Sequence, residues 1–273
     1  MSFTTWICDP KIELKNLALV TKAQSYAFGR RLYRFEIHQQ RYWLKFHHSN
    51  THEGFEQALL RELDFYQHRQ DVQCFLLPHQ IIQLNPFKQQ LNCTGDEIGL
   101  VTVAAKEFFR PLSDSCDIEF IKQKIVEALD ALNGLHQAGW IHGDLKAEHF
   151  RVHANACKLI DFEQTFRIGQ SIQTLDATPH YMAPELFHGA GKSIQSDLYA
   201  FGIIVYEWLT QTRLQAQSYH DWAILHCQQL HIQLPERLQC FLPVLTGLLS
   251  KHVQQRLSSV EAVKSALNTM NSL

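Results

Sequence analysis

The sequence predicts an α+β protein in two parts, a small strand-rich part over residues 1–106 and a larger helical part over residues 107–273. Three observations carry that expectation. Residues 32–38, "LYRFEIH", alternate with period two: Tyr33, Phe35 and Ile37 fall on one face and Leu32, Arg34, Glu36 and His38 on the other. From residue 118 the period changes, and Ile118, Ile121, Ile125, Leu129, Leu132 and Leu135 recur at helical spacing. No repeat, low-complexity tract or Gly/Ser linker separates the two regimes, so they belong to one domain whose character changes near residues 104–110.

The elements follow in order. The first forty-odd residues read as strands, "QQR" (39–41) as a turn, and "YWLKFH" (42–47) as the next strand. Residues 55–68 switch to helical spacing, with Phe55, Leu59, Leu63 and Tyr66 on one face. Between 70 and 104 the short apolar runs "CFLL", "QIIQL" and "IGLVTVA" suggest further strands of the same sheet. The long helix after 118 has Gly139 as its stop. The rest is helix-rich: "SDLYAFGIIVYEWLT" (196–210), "FLPVLTGLL" (241–249) and "SSVEAVKSAL" (258–267), the last opening with Ser258 and Glu261 at capping-box spacing.

Composition narrows the function. A chain of 273 residues with 45% hydrophobic content can bury real cores. A net charge of −2 gives no bulk attraction to nucleic acid or to an anionic membrane. The start "MSFTTWICDPKIELKN" lacks the basic and apolar regions of a signal peptide, and no apolar run reaches membrane-spanning length. Seven cysteines, an odd number without a C-x-x-C pair, point to free thiols in a reducing, cytoplasmic compartment. With 16 histidines, any single His is weak evidence for a metal site.

The stretch "WIHGDLKAEHF" (140–150) concentrates charge in a loop and precedes "KLIDFEQ". Phosphoryl transfer needs phosphates held, a divalent cation held by oxygen ligands, and an acceptor hydroxyl aimed in line. A strand lysine, a helix acid, a loop carboxylate and a second aspartate would supply these, and Lys45, Glu62, Asp144 and Asp161 occur in that order.

With these residues in place, the sequence resembles the protein kinases. "HGDLKAEH" is similar to the catalytic loop H-R-D-L-x-x-x-N, "DFE" (161–163) to D-F-G, and "ATPHYMAPE" (177–185) to the segment ending in A-P-E. The resemblance implies a two-lobed protein-kinase-like fold, with a β-rich N-lobe over 1–106, a helical C-lobe over 107–273, and the nucleotide between them. It implies that Lys45 holds the α- and β-phosphates of ATP and pairs with Glu62, and that Asp144 accepts or orients the acceptor hydroxyl. Lys146 would neutralise the γ-phosphate in the Ser/Thr-specific manner, Asp161 would bind Mg²⁺ or Mn²⁺, and Asp197 would brace the loop. Arg256, in "RLSSVEA", would pair with Glu185.

The sequence departs from the family pattern at four places. Only Gly29 remains of the Gly-rich loop, either as a remnant of the phosphate cradle or as a hairpin turn. Trp43, two residues before Lys45 and so on the same strand face, either stacks on the base or fills its site. His149 stands where the family has an Asn metal ligand, and it either shifts metal preference, costs a metal site, or only hydrogen-bonds the loop. Gly143 replaces the Arg of H-R-D and Glu163 the Gly of D-F-G. Without that Arg, a phosphate on Ser171, Thr174 or Thr178 has lost its usual partner; Thr178 is expected to hold the loop by hydrogen bonds. The leading expectation is a small Ser/Thr protein kinase acting on a protein. The alternatives are a pseudokinase serving as a binding or scaffold module, and a small-molecule or sugar kinase, since "HGDL" is also similar to aminoglycoside-type kinases.

Overall fold

The computed structural model describes residues 13–49, 51–67, 74–113, 115–170 and 177–269. The leader reading of residues 1–12, the expected helix end at His68, and Ser171 and Thr174 lie outside the described residues. The chain divides into two compact units, one of residues up to Lys106 with Asp161–Glu163, the other of Glu107–Ile160 with Gln164–Leu273. Among the described residues no helix is long and apolar enough to cross a membrane.

The first unit is built on β1 (Lys15–Leu19), α1 (Ala23–Ala27), β2 (Arg30–Ile37), β3 (Gln40–His47), α2 (Glu53–Gln67), β4 (His79–Gln83), α3 (Lys88–Leu91) and β5 (Ile98–Val103). Its strands form an antiparallel sheet in the order β1-β2-β3-β5-β4. Period-two alternation sorts the residues: Tyr33, Phe35, Tyr42, Leu44 and Phe46 are buried on one face, with the Tyr33 and Phe46 rings stacked 6.0 Å apart. The register pairs Leu32 with Lys45 and Arg34 with Trp43, so Arg30, Lys45 and the half-buried Trp43 share the other face.

Within the first unit the details differ from the sequence expectation at three points. The β2–β3 turn is His38–Gln39, with φ of 49° and 66°, and β3 already begins at Gln40 rather than after "QQR". Two left-handed residues give the twist a tight hairpin needs, but His and Gln lack the Asn-Gly signal that would have marked them. Residues 23–27, "AQSYA", are a short helix and not strand; Ala and Gln favour helix over strand. "CFLL" is a bend with one bridging residue; Phe75, Leu76 and Leu77 are buried side chains without a strand ladder.

In the second unit, β8 (Phe150–His153) and β9 (Ala156–Leu159) pair antiparallel; β6 (Lys106–Glu107), at the boundary in sequence, completes the order β6-β8-β9. Between them come α4 (Ile118–Gln137) and β7 (Trp140–Ile141), which pairs with β10 (Phe166–Arg167). Asp117 caps α4 by accepting from the Phe120 N–H at 2.6 Å, and Gly139, at φ +86°, ends it. Ile121, Ile125, Leu129, Leu132 and Leu135 form the buried stripe of α4. Then follow α5 (Pro184–Phe187), α6 (Ile194–Thr210), α7 (Tyr219–Ile224), α8 (Leu242–Leu248) and α9 (Val260–Asn268). α6 is apolar on nearly every side and is buried along most of its length, which places Asp197 in the interior.

The cap of α9 is Ser259, which accepts from the Ala262 N–H at 3.2 Å, and not Ser258. Adjacent serines look alike to a spacing rule; the packing of Val260, Val263 and Leu267 selects the register. Ser259→Ala is expected to cost about 1 kcal/mol in denaturant unfolding, and Ser258→Ala less than about 0.5 kcal/mol. Equal losses would contradict the cap assignment.

Candidate active site

Period two on β3 brings Lys45 to the sheet face opposite the aromatic core, and the 3.6-residue period of α2 brings Glu62 to it. The Lys45 Nζ lies 2.7 Å from Glu62 Oε2, 2.7 Å from Asp161 Oδ1 and 2.6 Å from Glu163 Oε1. Burial works against the ammonium, but Asp161, Glu163 and Glu62 outweigh it and hold its pKa well above the ordinary lysine value. Burial, with Asp161 and Glu163 nearby, pushes the Glu62 carboxyl up to about 7 against the pull of Lys45.

Phe162 anchors this cluster. Its N–H donates to Glu62 Oε1 at 2.9 Å, and its fully buried ring stacks on Phe65 at 4.3 Å and meets Tyr66 edge-on at 5.4 Å. Glu62, Phe65 and Tyr66 are three and four apart, so one face of α2 grips both the backbone and the ring of residue 162. Burial of the ring contributes about 1.5–3 kcal/mol toward holding the segment. Asp161 itself sits at φ +67°, a left-handed conformation unusual for a non-glycine residue. The third carboxylate is that of Glu163, whose other oxygen binds Arg30 and whose backbone carbonyl accepts from Arg61 Nε at 3.1 Å.

The carboxylate oxygens of Glu62, Asp161 and Glu163 all lie within 4.8 Å of one another, the group among the described residues that could hold a metal ion. An all-oxygen donor set suits Mg²⁺ or Mn²⁺, but here the three carboxylates converge on the Lys45 ammonium. Gly29 closes the turn before β2: its φ is +94°, and a Cβ there would meet Thr51 Oγ1 at 1.9 Å.

The second unit holds the loop residues. Asp144 Oδ2 lies 2.9 Å from Lys146 Nζ, while Oδ1 accepts from both the N–H and the hydroxyl of Thr178 at 2.9 Å. Burial pushes the Asp144 carboxyl up, but Lys146 and these hydrogen bonds win and hold it below the ordinary carboxylate range. The loop is shaped from α6: Asp197 accepts from the N–H groups of His142 at 2.8 Å and Gly143 at 3.0 Å, and pairs with His136 Nε2 at 3.0 Å. His149 is buried, with its ring stacked on His142 at 5.3 Å. The structure thus groups Lys45, Glu62 and Asp161 in one unit and Asp144, Lys146 and His149 in the other. His149 is not among the three clustered carboxylates.

Over residues 40–267 the sequence matches the protein kinase domain. The chain belongs to the protein kinase domain family. It is 30% identical over 176 residues to the probable serine/threonine-protein kinase PknB of Lactococcus lactis subsp. lactis (strain IL1403), covering 60% of this chain and 27% of that protein. It is 33% identical over 121 residues to cGMP-dependent protein kinase 2 of Rattus norvegicus, covering 43% and 15%. It is 32% identical over 99 residues to the serine/threonine-protein kinase Nek9 of Mus musculus, covering 35% and 10%. The matched stretches span less than a third of each relative's length.

Within this kinase domain, Gly143 is required by its backbone. Its φ is +79°, and a Cβ would sit 2.6 Å from the Gln164 carbonyl oxygen, so an Arg cannot take this position without moving the chain. Arg256 and Glu185 form a bidentate pair at 2.7 and 2.8 Å, and Arg256 also donates to the carbonyls of Ser250 and Gln195. Sequence reasoning missed Arg30 and the ion-pairing of Glu163. The available signal was strand parity, which puts Arg30 on the Lys45 face of β2.

Two outcomes are expected. Arg256→Ala should cost about 3–5 kcal/mol in denaturant unfolding, because the Glu185 carboxylate and two carbonyls lose their partner; a loss below about 1 kcal/mol would contradict this. Burial, the largest cause, pulls His142 and His226 down from 6.5 to about 4. A folded pKa below the unfolded one gives stability that is present above pH 6.5 and lost as pH falls through 4. His226 accepts from the Tyr199 hydroxyl at 2.9 Å and faces the His180 carbonyl at 3.1 Å, so it serves the fold as a neutral ring. His226→Gln should remove about 3 kcal/mol of the acid loss measured between pH 7 and pH 4; an unchanged loss would count against it.

Proposed function

We propose that the chain is an ATP-dependent Ser/Thr protein kinase whose N-lobe is residues 1–106 and whose C-lobe is residues 107–273. The observation that carries this reading is the Lys45 ammonium held within 2.7 Å of both Glu62 and Asp161. A module that binds no nucleotide has no need to bury a cation among acids, which costs desolvation. In this reading Lys45 binds the α- and β-phosphates and Asp161 holds the divalent cation, Mg²⁺ or Mn²⁺, which offsets the charge on the phosphates. The ionised Asp144, fixed by Thr178, orients the acceptor hydroxyl and takes its proton. Lys146, beside Asp144, balances charge on the transferred phosphoryl group. Trp43 faces the base from the Lys45 side of β3.

His149, stacked on His142, is assigned to holding the loop. The acceptor is proposed to be a protein hydroxyl, since "ATPHYMAPE" is similar to the protein-kinase segment and the chain resembles kinases named for serine and threonine. The six free cysteines among the described residues fit a reducing, cytoplasmic setting. A second reading, a pseudokinase that binds nucleotide poorly, is favoured by one observation: Glu163 already occupies Lys45.

Melting temperature measured with ATP and Mg²⁺ or Mn²⁺ separates the two readings. The kinase reading expects a metal-dependent rise that Asp161→Ala removes. It also expects Asp144→Ala to keep the rise and to lose about 10²–10⁴-fold in phosphate transfer to a generic protein acceptor. No rise with either metal would favour the pseudokinase.

A further inference from the structure

We propose that Arg30 and Lys45 form a two-cation clamp for the phosphate chain of a nucleotide, and that Glu163 is its in-chain occupant, displaced when the nucleotide binds. The inference rests on the nucleotide-binding reading above and adds Arg30 as a binding residue and Glu163 as a competitor. One carboxylate, that of Glu163, bridges the two cations: Oε1 lies 2.6 Å from Lys45 Nζ, and Oε2 binds Arg30. A guanidinium and an ammonium converging on one anionic group make the arrangement that also receives phosphate oxygens.

The neighbouring backbone explains why a side chain is needed. A glycine-rich loop offers free N–H groups to phosphates. Here the segment is the short helix α1, and donors toward its C-terminal end are spent internally: the Tyr26 N–H goes to the Lys22 carbonyl at 2.9 Å and the Gly29 N–H, just past the helix, to the Tyr26 carbonyl at 3.1 Å. Arg31 is committed elsewhere, donating to the Tyr26 and Arg30 carbonyls with its guanidinium 3.6 Å from the Tyr26 ring centroid. Arg30 is the cation of this pair that points to the Lys45 face.

The Glu163 side chain can leave without releasing its segment. The backbone at 161–163 is held separately, by the Phe162 N–H on Glu62, by the Phe162 ring on Phe65, and by Arg61 on the Glu163 carbonyl. With Glu163 in place, three carboxylates face two cations, and the excess negative charge opposes an incoming phosphate.

The test is calorimetric binding of ATP with Mg²⁺, and of adenosine, to the full chain and to Glu163→Gln and Arg30→Ala. Glu163→Gln should tighten ATP binding by about fivefold or more, and Arg30→Ala should weaken it by about fivefold or more. Adenosine, which has no phosphate, should bind all three proteins alike. ATP binding by the wild type that neither variant changes, or that Glu163→Gln weakens, would overturn the clamp and leave the nucleotide reading standing. ATP binding by none of the folded proteins would overturn both. Should Glu163→Gln fail to fold, Glu163→Ala, which also removes the carboxylate, carries the same expectation.

Discussion

The ammonium of Lys45, set among three carboxylates, is the contact on which the first unit turns. Each partner reaches it by a different local rule. Strand parity on β3 brings Lys45 to the face opposite the aromatic core, and helical spacing on α2 brings Glu62. The aromatic grip on Phe162 brings Asp161 and Glu163, although they are over a hundred residues away in sequence. The acids are mutually repulsive and partly buried, so none would be stable there without the cation. The rigid part of the arrangement is therefore apolar, and the polar part is held in place by it.

The second unit solves a related problem with hydrogen bonds. Buried loop N–H groups need acceptors. Asp197 supplies them to His142 and Gly143 from a helix whose apolar faces keep it in the interior. That leaves Asp144 bound by Lys146 and Thr178, charged and fixed in orientation. Gly143 is part of the same constraint: its positive φ and the nearby Gln164 carbonyl exclude a side chain, so the loss of the family's arginine and the loop's shape are one fact.

Much of this was legible in the sequence because it is periodic or ordered. Alternation in "LYRFEI" and helical spacing from Ile118 to Leu135 report which faces are buried, since burial of apolar area drives both. The ordered set Lys45, Glu62, Asp144 and Asp161 pointed to phosphoryl transfer. What failed to show were features with no spacing signature. The hairpin turn at His38–Gln39 uses residues that seldom adopt left-handed backbone, and the α9 cap had two adjacent serines to choose between.

The sequence by itself determined the fold class, the principal strands and helices and the residue types available for chemistry, because these follow from local pattern. Tertiary structure alone decided which charges meet. That Glu163 bridges Arg30 and Lys45, and that Thr178 holds Asp144, depends on contacts between segments 34 to 133 residues apart. No local period encodes such pairs; they exist only once the packing of Phe162 and of α6 has brought the segments together.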